Sequence, residues 1–424
     1  MKTARHGFLR PILIGMVALL VTALLVTALL ARAFLSPSPT LSQLHGYTMG
    51  TQYSIKYRHP EALFSPEQAQ KQIDSILDTI NRTMSTYDQQ SELSRLNQAT
   101  ATDWIPISDT LFTVLQAALT IGEQSEGRFD ITVGPLVNLW GFGPEFRPEE
   151  IPAADAIAAI RQRTGQAMLE LDQEIPAVRK AHPNIYIDLS AIAKGYAVDQ
   201  IAALFDSQGI DHYLVDIGGE IRARGTNAQN NSWQVGIEKP LQHGRSLHRV
   251  LPLKNTALAT SGDYRNFFEL DGRRYSHLID PTTGWPVENG STSVTVLAES
   301  VMLADAWATA LLVSGHARGL RIAEQQGLAV LYLVNQNGAL MEYTSSHFPD
   351  THHSRFSQIF LATFLVMGLA LIAMAIGVLN GRQPIAGSCG GLGRLGLGCD
   401  AGCSRPCASR HTGTQRATKL DSKF

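Results

Sequence analysis

Between Met1 and Ser388 the chain has no cysteine; all four, Cys389, Cys399, Cys403 and Cys407, lie in the last stretch. Disulfides, thiol nucleophiles and thiolate metal sites are thereby excluded from most of its length. An excess of charge of one sign is also lacking: 35 Lys and Arg face 37 Asp and Glu, for a net charge of -2. With no basic stripe interleaved with aromatics, this excludes a nucleic-acid surface built on net charge. Internal repeats are absent, and the one low-complexity stretch is the glycine-rich segment from Gly387 to Gly402. What remains is a chain of 424 residues, 44% hydrophobic, long enough for one large domain or two ordinary ones with a sizeable core.

Two apolar runs frame the middle of the chain. From Ile12 to Leu30 there is no charge, and Lys2, Arg5 and Arg10 precede the run. This predicts a signal anchor over residues 1–35, with Ala31-Arg32-Ala33 as a small-x-small cleavage pattern and the length favouring retention. From Ile359 to Leu379 a second charge-free run is followed by Arg382, Arg394, Arg405 and Arg410, predicting a membrane helix over 356–380. The positive-inside rule then puts both termini in the cytoplasm, residues 36–350 on the outer (periplasmic) side of an inner membrane, and the Cys-rich tail 381–424 in the cytoplasm.

Within residues 36–350 the patterns mix helices with hairpins. Ser36-Pro37-Ser38-Pro39-Thr40 reads as a stiff spacer, and Tyr47–Tyr57 as a strand interrupted by Met49-Gly50. Helical spacing runs from Pro66 to Met84, from Ser108 or Asp109 to near Gly127, after Asp188 to about Gln208, and from Val301 to Ser314. Asp271-Gly272 and Asn337-Gly338 mark hairpins. The irregular alternation predicts a mixed α+β domain, not a doubly wound parallel sheet.

Several segments carry chemistry. Asp305 and Thr309, four apart on a helix, present a carboxylate and a hydroxyl on one face, a pair suited to a hard cation such as Mg²⁺ or, more plainly, to a helix start and a small gap. Asp188-Leu189-Ser190-Ala191-Ile192-Ala193-Lys194-Gly195 resembles a strand that turns into a helix N-terminus, where amides and Lys194 attract phosphate. Asp216-Ile217-Gly218-Gly219-Glu220 is either a tight turn or a place where amides meet a ligand, and His277 with Asp280 flanks a Pro-containing turn.

Taken with Thr48-Met49-Gly50-Thr51, Met84-Ser85-Thr86-Tyr87, Ser91-Glu92-Leu93-Ser94-Arg95-Leu96-Asn97 and Gly127-Arg128-Phe129-Asp130-Ile131-Thr132-Val133-Gly134-Pro135-Leu136, running on to Trp140-Gly141-Phe142-Gly143, these segments resemble the FAD:protein FMN transferase (ApbE) family. The resemblance covers roughly Met49 to Gly315. It implies Mg²⁺-dependent transfer of FMN from FAD to a Thr or Ser hydroxyl of a flavoprotein subunit, releasing AMP. It assigns the metal to Asp305, Thr309 and the main-chain carbonyl of Ala191, and FAD contacts to Met49, Tyr87, Arg128, Phe129, Asp130, Asp188 and Lys194. His277 becomes the candidate base. Arg128 stands where such motifs usually have a small residue, and the lipid-modified cysteine often found near the start of the family is absent. A FAD pyrophosphatase that uses water as acceptor and a flavin carrier without turnover are the competing readings.

The tail is similar to a second family. Gly381-Arg382-Gln383-Pro384-Ile385, Gly387-Ser388-Cys389-Gly390-Gly391 and the three later cysteines, covering about Phe356 to Cys407, resemble NqrM, a maturation factor of the sodium-pumping NADH:quinone oxidoreductase. Cytoplasmic thiolates at Cys389, Cys399, Cys403 and Cys407 suit Fe or Zn, at a spacing unlike a standard zinc finger. The combined expectation is a flavin transferase joined to a metal-delivery segment. Its partners would be the flavin-accepting subunits of that membrane oxidoreductase or a related electron-transfer complex.

Overall fold

The computed structural model describes residues 40–59, 64–143, 150–241, 244–349 and 360–372. The chain divides into two compact units, Met1–Pro349 and Asp350–Phe424. In the first unit the strands are β1 (Thr40–Thr48), β2 (Thr51–His59), β3 (Ile105–Pro106), β4 (Leu169–Leu171), β5 (Ala177–Lys180), β6 (Tyr213–Ile217), β7 (Glu220–Arg224) and β8 (Trp233–Glu238). They continue as β9 (Leu247–Leu253), β10 (Thr256–Gly262), β11 (Phe267–Leu270), β12 (Arg273–Ser276), β13 (Ser291–Ala298), β14 (Ala329–Gln336) and β15 (Ala339–Thr344). The helices are α1 (Pro66–Met84), α2 (Glu92–Gln98), α3 (Asp109–Gln124), α4 (Gly134–Leu139), α5 (Ala154–Arg161), α6 (Ala193–Ser207), α7 (Val301–Ser314) and α8 (His316–Gln325).

Eight strands form one sheet in the order β1-β2-β6-β7-β10-β13-β14-β15, and every neighbouring pair is antiparallel. The α+β expectation holds. The expected interrupted strand at Tyr47–Tyr57 is instead a hairpin, because Met49 (φ 47°) and Gly50 (φ 72°) take the left-handed conformations that reverse the chain. Asp271-Gly272 and Asn337-Gly338 turn the chain with the same positive-φ pair.

Alternation decides which face of each strand is buried. Tyr53, Ile55 and Tyr57 of β2, with Val215 and Ile217 of β6, join the main core formed with α1, α3, α6 and α7. The opposite face is covered by the β8–β9 hairpin, whose Trp233, Val235, Ile237, Leu251 and Leu253 pack on Ile221, Leu258, Leu297, Leu331 and Leu333. Central strands therefore lie between two cores, which explains the nearly unbroken burial along β13 and the apolar run 329–334 of β14. A third, smaller core joins α4, α5 and the β11–β12 hairpin through Leu136, Trp140, Ile157, Phe268, Tyr275 and Ile279. Trp140 stacks on Tyr275, its indole N–H donating to the Gly284 carbonyl at 2.9 Å.

Helix ends follow local chemistry. Ser65 and Gln68 form a capping box with Pro66 in the first turn of α1. Helix α7 is buried on nearly every side, which is why its sequence lacks a polar stripe. It starts at Ser300, and the Asp199 carboxylate of α6 accepts hydrogen bonds from the Val301 and Met302 amides at 3.0 and 2.9 Å.

Among the described residues no helix is long and apolar enough to cross a membrane. The two transmembrane helices expected from the sequence are thus not found in what is described. The run Ile12–Leu30 lies outside the described residues, and of the second run they include the helical stretch 360–372. On that stretch Phe360, Leu361, Phe364, Leu365, Val366 and Met367 are exposed. The tail cysteines also lie outside the described residues.

Candidate functional site

A cavity of about 1050 Å³ in the first unit is lined by the segment before α6, the β6–β7 turn, α7 and the segments that flank the β11–β12 hairpin. Ala191, Lys194, Asp305 and Thr309 line its floor. Gly195 makes this junction possible: a Cβ there would run into the Val301 carbonyl and the Met302 Cα, so α6 crosses α7 closely only through glycine. The Gly195 amide then donates to Asp305 Oδ2 at 3.0 Å.

The segment leading into α6 was expected to be a strand, but it joins no sheet. Asn97 of α2 replaces the missing ladder, its side-chain Oδ1 accepting from the Ile187 amide at 2.7 Å and its Nδ2 donating to the Ile187 carbonyl at 2.8 Å. Asp188 adds a backbone bond to Ile131 at 2.7 Å. The Ser91–Asn97 and Phe129–Ile131 motifs, distant in sequence, thus fix the turn that presents Ala191 and Lys194.

Charge on the floor is unbalanced. Lys194 Nζ lies 2.7 Å from Glu220 Oε1 and 3.8 Å from Asp305 Oδ1, with 27% of its side chain open to the cavity and both carboxylates buried. Two acids share one ammonium. Burial pushes the Glu220 carboxyl up to about 8 despite Lys194, and burial likewise raises Asp305 against the pull of Lys194 and the Gly195 amide. Glu220 Oε2 is buried and has no hydrogen-bond partner among the described residues. Asp305 brings a buried carboxylate to the cavity beside the Thr309 hydroxyl and the Ala191 segment, and oxygen donors of this kind are what a hard divalent cation takes, so the donor set of Asp305, Thr309 and the Ala191 carbonyl fits Mg²⁺. Thr309 Oγ1 is held 2.9 Å from Ser261 Oγ. Among the described residues no three His, Cys, Asp or Glu side chains gather as a metal cluster; the expected set contains a single carboxylate.

His277 lines the same cavity. Its Nδ1 lies 3.0 Å from the Asn266 carbonyl. Because a carbonyl only accepts, Nδ1 carries the proton and Nε2 is left as the basic nitrogen. Part of the ring is open to the cavity while protein encloses the rest; this burial, more than the nearby Arg274, lowers its pKa below the ordinary 6.5. Phe142 meets the ring edge-on at 6.3 Å.

The remaining expected residues divide by what their side chains already do. Tyr87 lines the cavity with 71% of its surface exposed. Phe129 and Asp188 line the cavity as well. Asp130 also lines it, yet its Oδ1 accepts from the Thr132 amide and hydroxyl at 2.8 and 2.6 Å, so much of its acceptor capacity holds its own loop. Burial is the main cause of its raised pKa. Arg128 pairs with Asp280 Oδ2 at 2.7 Å and thereby ties its loop to the turn after His277. Met49 does not line the cavity; it sits in the β1–β2 turn, packed against the main core. Glu220 was not picked out from the sequence as a site residue. The available signal was a carboxylate directly after Gly218-Gly219, a turn whose positive φ values (67° and 107°) deliver it to the floor.

A family model described as "ApbE family" matches residues 49–332. A second, "(Na+)-NQR maturation NqrM", matches residues 378–419. A FAD:protein FMN transferase of Vibrio cholerae is 46% identical over 305 residues, covering 72% of this chain and 91% of that protein. One from Escherichia coli K12 is 38% identical over 307 residues, covering 72% and 87%. Among solved structures, the flavin transferase ApbE from Vibrio cholerae superposes with a TM-score of 0.69 at 44% identity, over 73% of this chain and 98% of that one. The apo form of the Pseudomonas stutzeri flavinyl transferase ApbE gives 0.68 at 35% identity, over 73% and 96%. With a matched fold across almost the full length of such relatives, the chain belongs to the ApbE family.

Proposed function

We propose that this chain transfers FMN from FAD to a Thr or Ser hydroxyl of a partner flavoprotein, with AMP as the leaving group. The observation that carries the reading is that one cavity is lined both by His277, with its basic Nε2, and by the group where Lys194 meets the Asp305 carboxylate. In the reaction the acceptor oxygen forms a bond to the FMN-side phosphorus while the bond from that phosphorus to the bridging oxygen breaks. The bridging oxygen leaves with AMP. The acceptor proton passes to His277 Nε2, whose tautomer the Asn266 carbonyl fixes. Lys194 supplies positive charge to the pyrophosphate oxygens. Asp305, Thr309 and the Ala191 carbonyl would hold Mg²⁺, which supplies charge neutralisation on the same oxygens.

The match of residues 378–419 to NqrM supports a second element of the proposal: that the tail delivers Fe or Zn, through Cys389, Cys399, Cys403 and Cys407, to a sodium-pumping NADH:quinone oxidoreductase whose subunits also accept the flavin. The charge-free runs, the flanking arginines and the exposed apolar side chains on the stretch 360–372 support anchorage of the transferase unit on the outer face of the inner membrane, with both termini in the cytoplasm.

The test is incubation of the protein with FAD, Mg²⁺ and a candidate acceptor, followed by denaturing electrophoresis and flavin fluorescence. A fluorescent acceptor band that disappears with chelator is expected. Free FMN with an unlabelled acceptor would support hydrolysis instead, and intact FAD would support a carrier.

A further inference from the structure

Glu220 has an environment that a structural role does not explain. Its side chain is 3% exposed, so its charge has lost water, and its one short partner is Lys194 at 2.7 Å. The second oxygen makes no hydrogen bond among the described residues. Keeping a buried, half-satisfied carboxylate is costly, and replacing such groups by apolar ones is often neutral or stabilising. Lysine has a flexible stem that leaves its ammonium free to wander unless something fixes it. Asp305 does so weakly, at 3.8 Å, while its Oδ2 is engaged by the Gly195 amide.

We propose that Glu220 is a positioning residue that pins the Lys194 ammonium to the cavity floor, facing the place of the FAD pyrophosphate. Glu220 acts through Lys194 and touches no reacting atom. This rests on reading the cavity as the FAD site. The β6–β7 turn is what allows it, since Ile217 pairs with Glu220 across the two glycines and the carboxylate stands at the first position of β7, rigidly held by the central sheet.

The test is flavin-fluorescence titration of the full chain with FAD, and separately with riboflavin, which lacks the pyrophosphate. The proteins are wild type, Glu220→Gln, Glu220→Ala, Lys194→Ala and the double Ala variant. Glu220→Ala is expected to weaken FAD by about tenfold, the same factor as Lys194→Ala, and the double variant to lose no more than either alone. Glu220→Gln, which keeps an oxygen for the ammonium, recovers most of the affinity, and riboflavin binding stays level throughout. Additive losses in the double variant, or equal weakening of FAD and riboflavin, would overturn the assignment. A wild type that binds FAD but never labels an acceptor contradicts the transfer reading alone; a wild type that does not bind FAD overturns both.

Discussion

Asp305 and His277 show how differently two residues of one site can be read. Asp305 is almost fully buried in a helix with no polar stripe, where a carboxylate has no reason to be unless something on the cavity side compensates it. Asp305→Ala is expected to abolish transfer while the fold persists, and Thr309→Ala to reduce it less, since a neutral hydroxyl gives a cation less than a carboxylate does. Transfer rates alongside circular dichroism check both; wild-type turnover by folded Asp305→Ala would remove the metal assignment. For His277, burial favours the neutral, basic form, so its pKa is lowered and the base stays active as pH falls past the ordinary histidine value of 6.5. The acid limb of kcat/KM is therefore expected below pH 6.5, and His277→Ala is expected to cost about 10²–10⁴-fold in rate and to abolish that limb. An acid limb above 6.5 would contradict the buried, tautomer-fixed histidine.

At the scale of elements, the sequence revealed helices and hairpins where a local code exists. Pro66–Met84 was readable from its apolar spacing, Val301–Ser314 as a helical run, and the Asp271-Gly272 and Asn337-Gly338 turns from their need for positive φ. It hid what depends on distant partners. The segment before Asp188 has a strand's composition, yet an Asn97 side chain, not a neighbouring strand, satisfies its backbone. Glu220 was hidden for the same reason, because only the sheet brings it to Lys194. The crossing of α6 and α7 through Gly195 is the element-scale joint of the site. Gly195→Ala is expected to push the helices apart and separate Lys194 from Asp305. Stability should fall by about 1–3 kcal/mol, as for other overpacked positions, and transfer should fall further than stability explains. Thermal unfolding and assay at a temperature where the variant is fully folded separate the two; unchanged activity there would mean that the crossing does not set the site.

At the scale of the whole molecule, two chemically independent units are expected. Deleting the chain from about His353 onward removes the cysteines and the second apolar run but no residue lining the cavity. Transfer by the remaining unit is expected to persist, while assembly of the partner's metal centre suffers. Cys389, Cys399, Cys403 and Cys407 are expected to resist an impermeant thiol reagent in intact spheroplasts and to react after lysis and chelation. Labelling of sealed cells would place the tail outside and remove the basis for metal delivery. The central claim is that one cavity joins the flavin to a protein hydroxyl and does not merely cleave FAD. It is tested most directly by measuring, in one reaction, the intact mass of the acceptor and the amount of AMP released. The expected acceptor is heavier by one FMN minus water, with one AMP for each flavin attached and neither product formed by Asp305→Ala. AMP released in step with free FMN, with the acceptor mass unchanged, would contradict it.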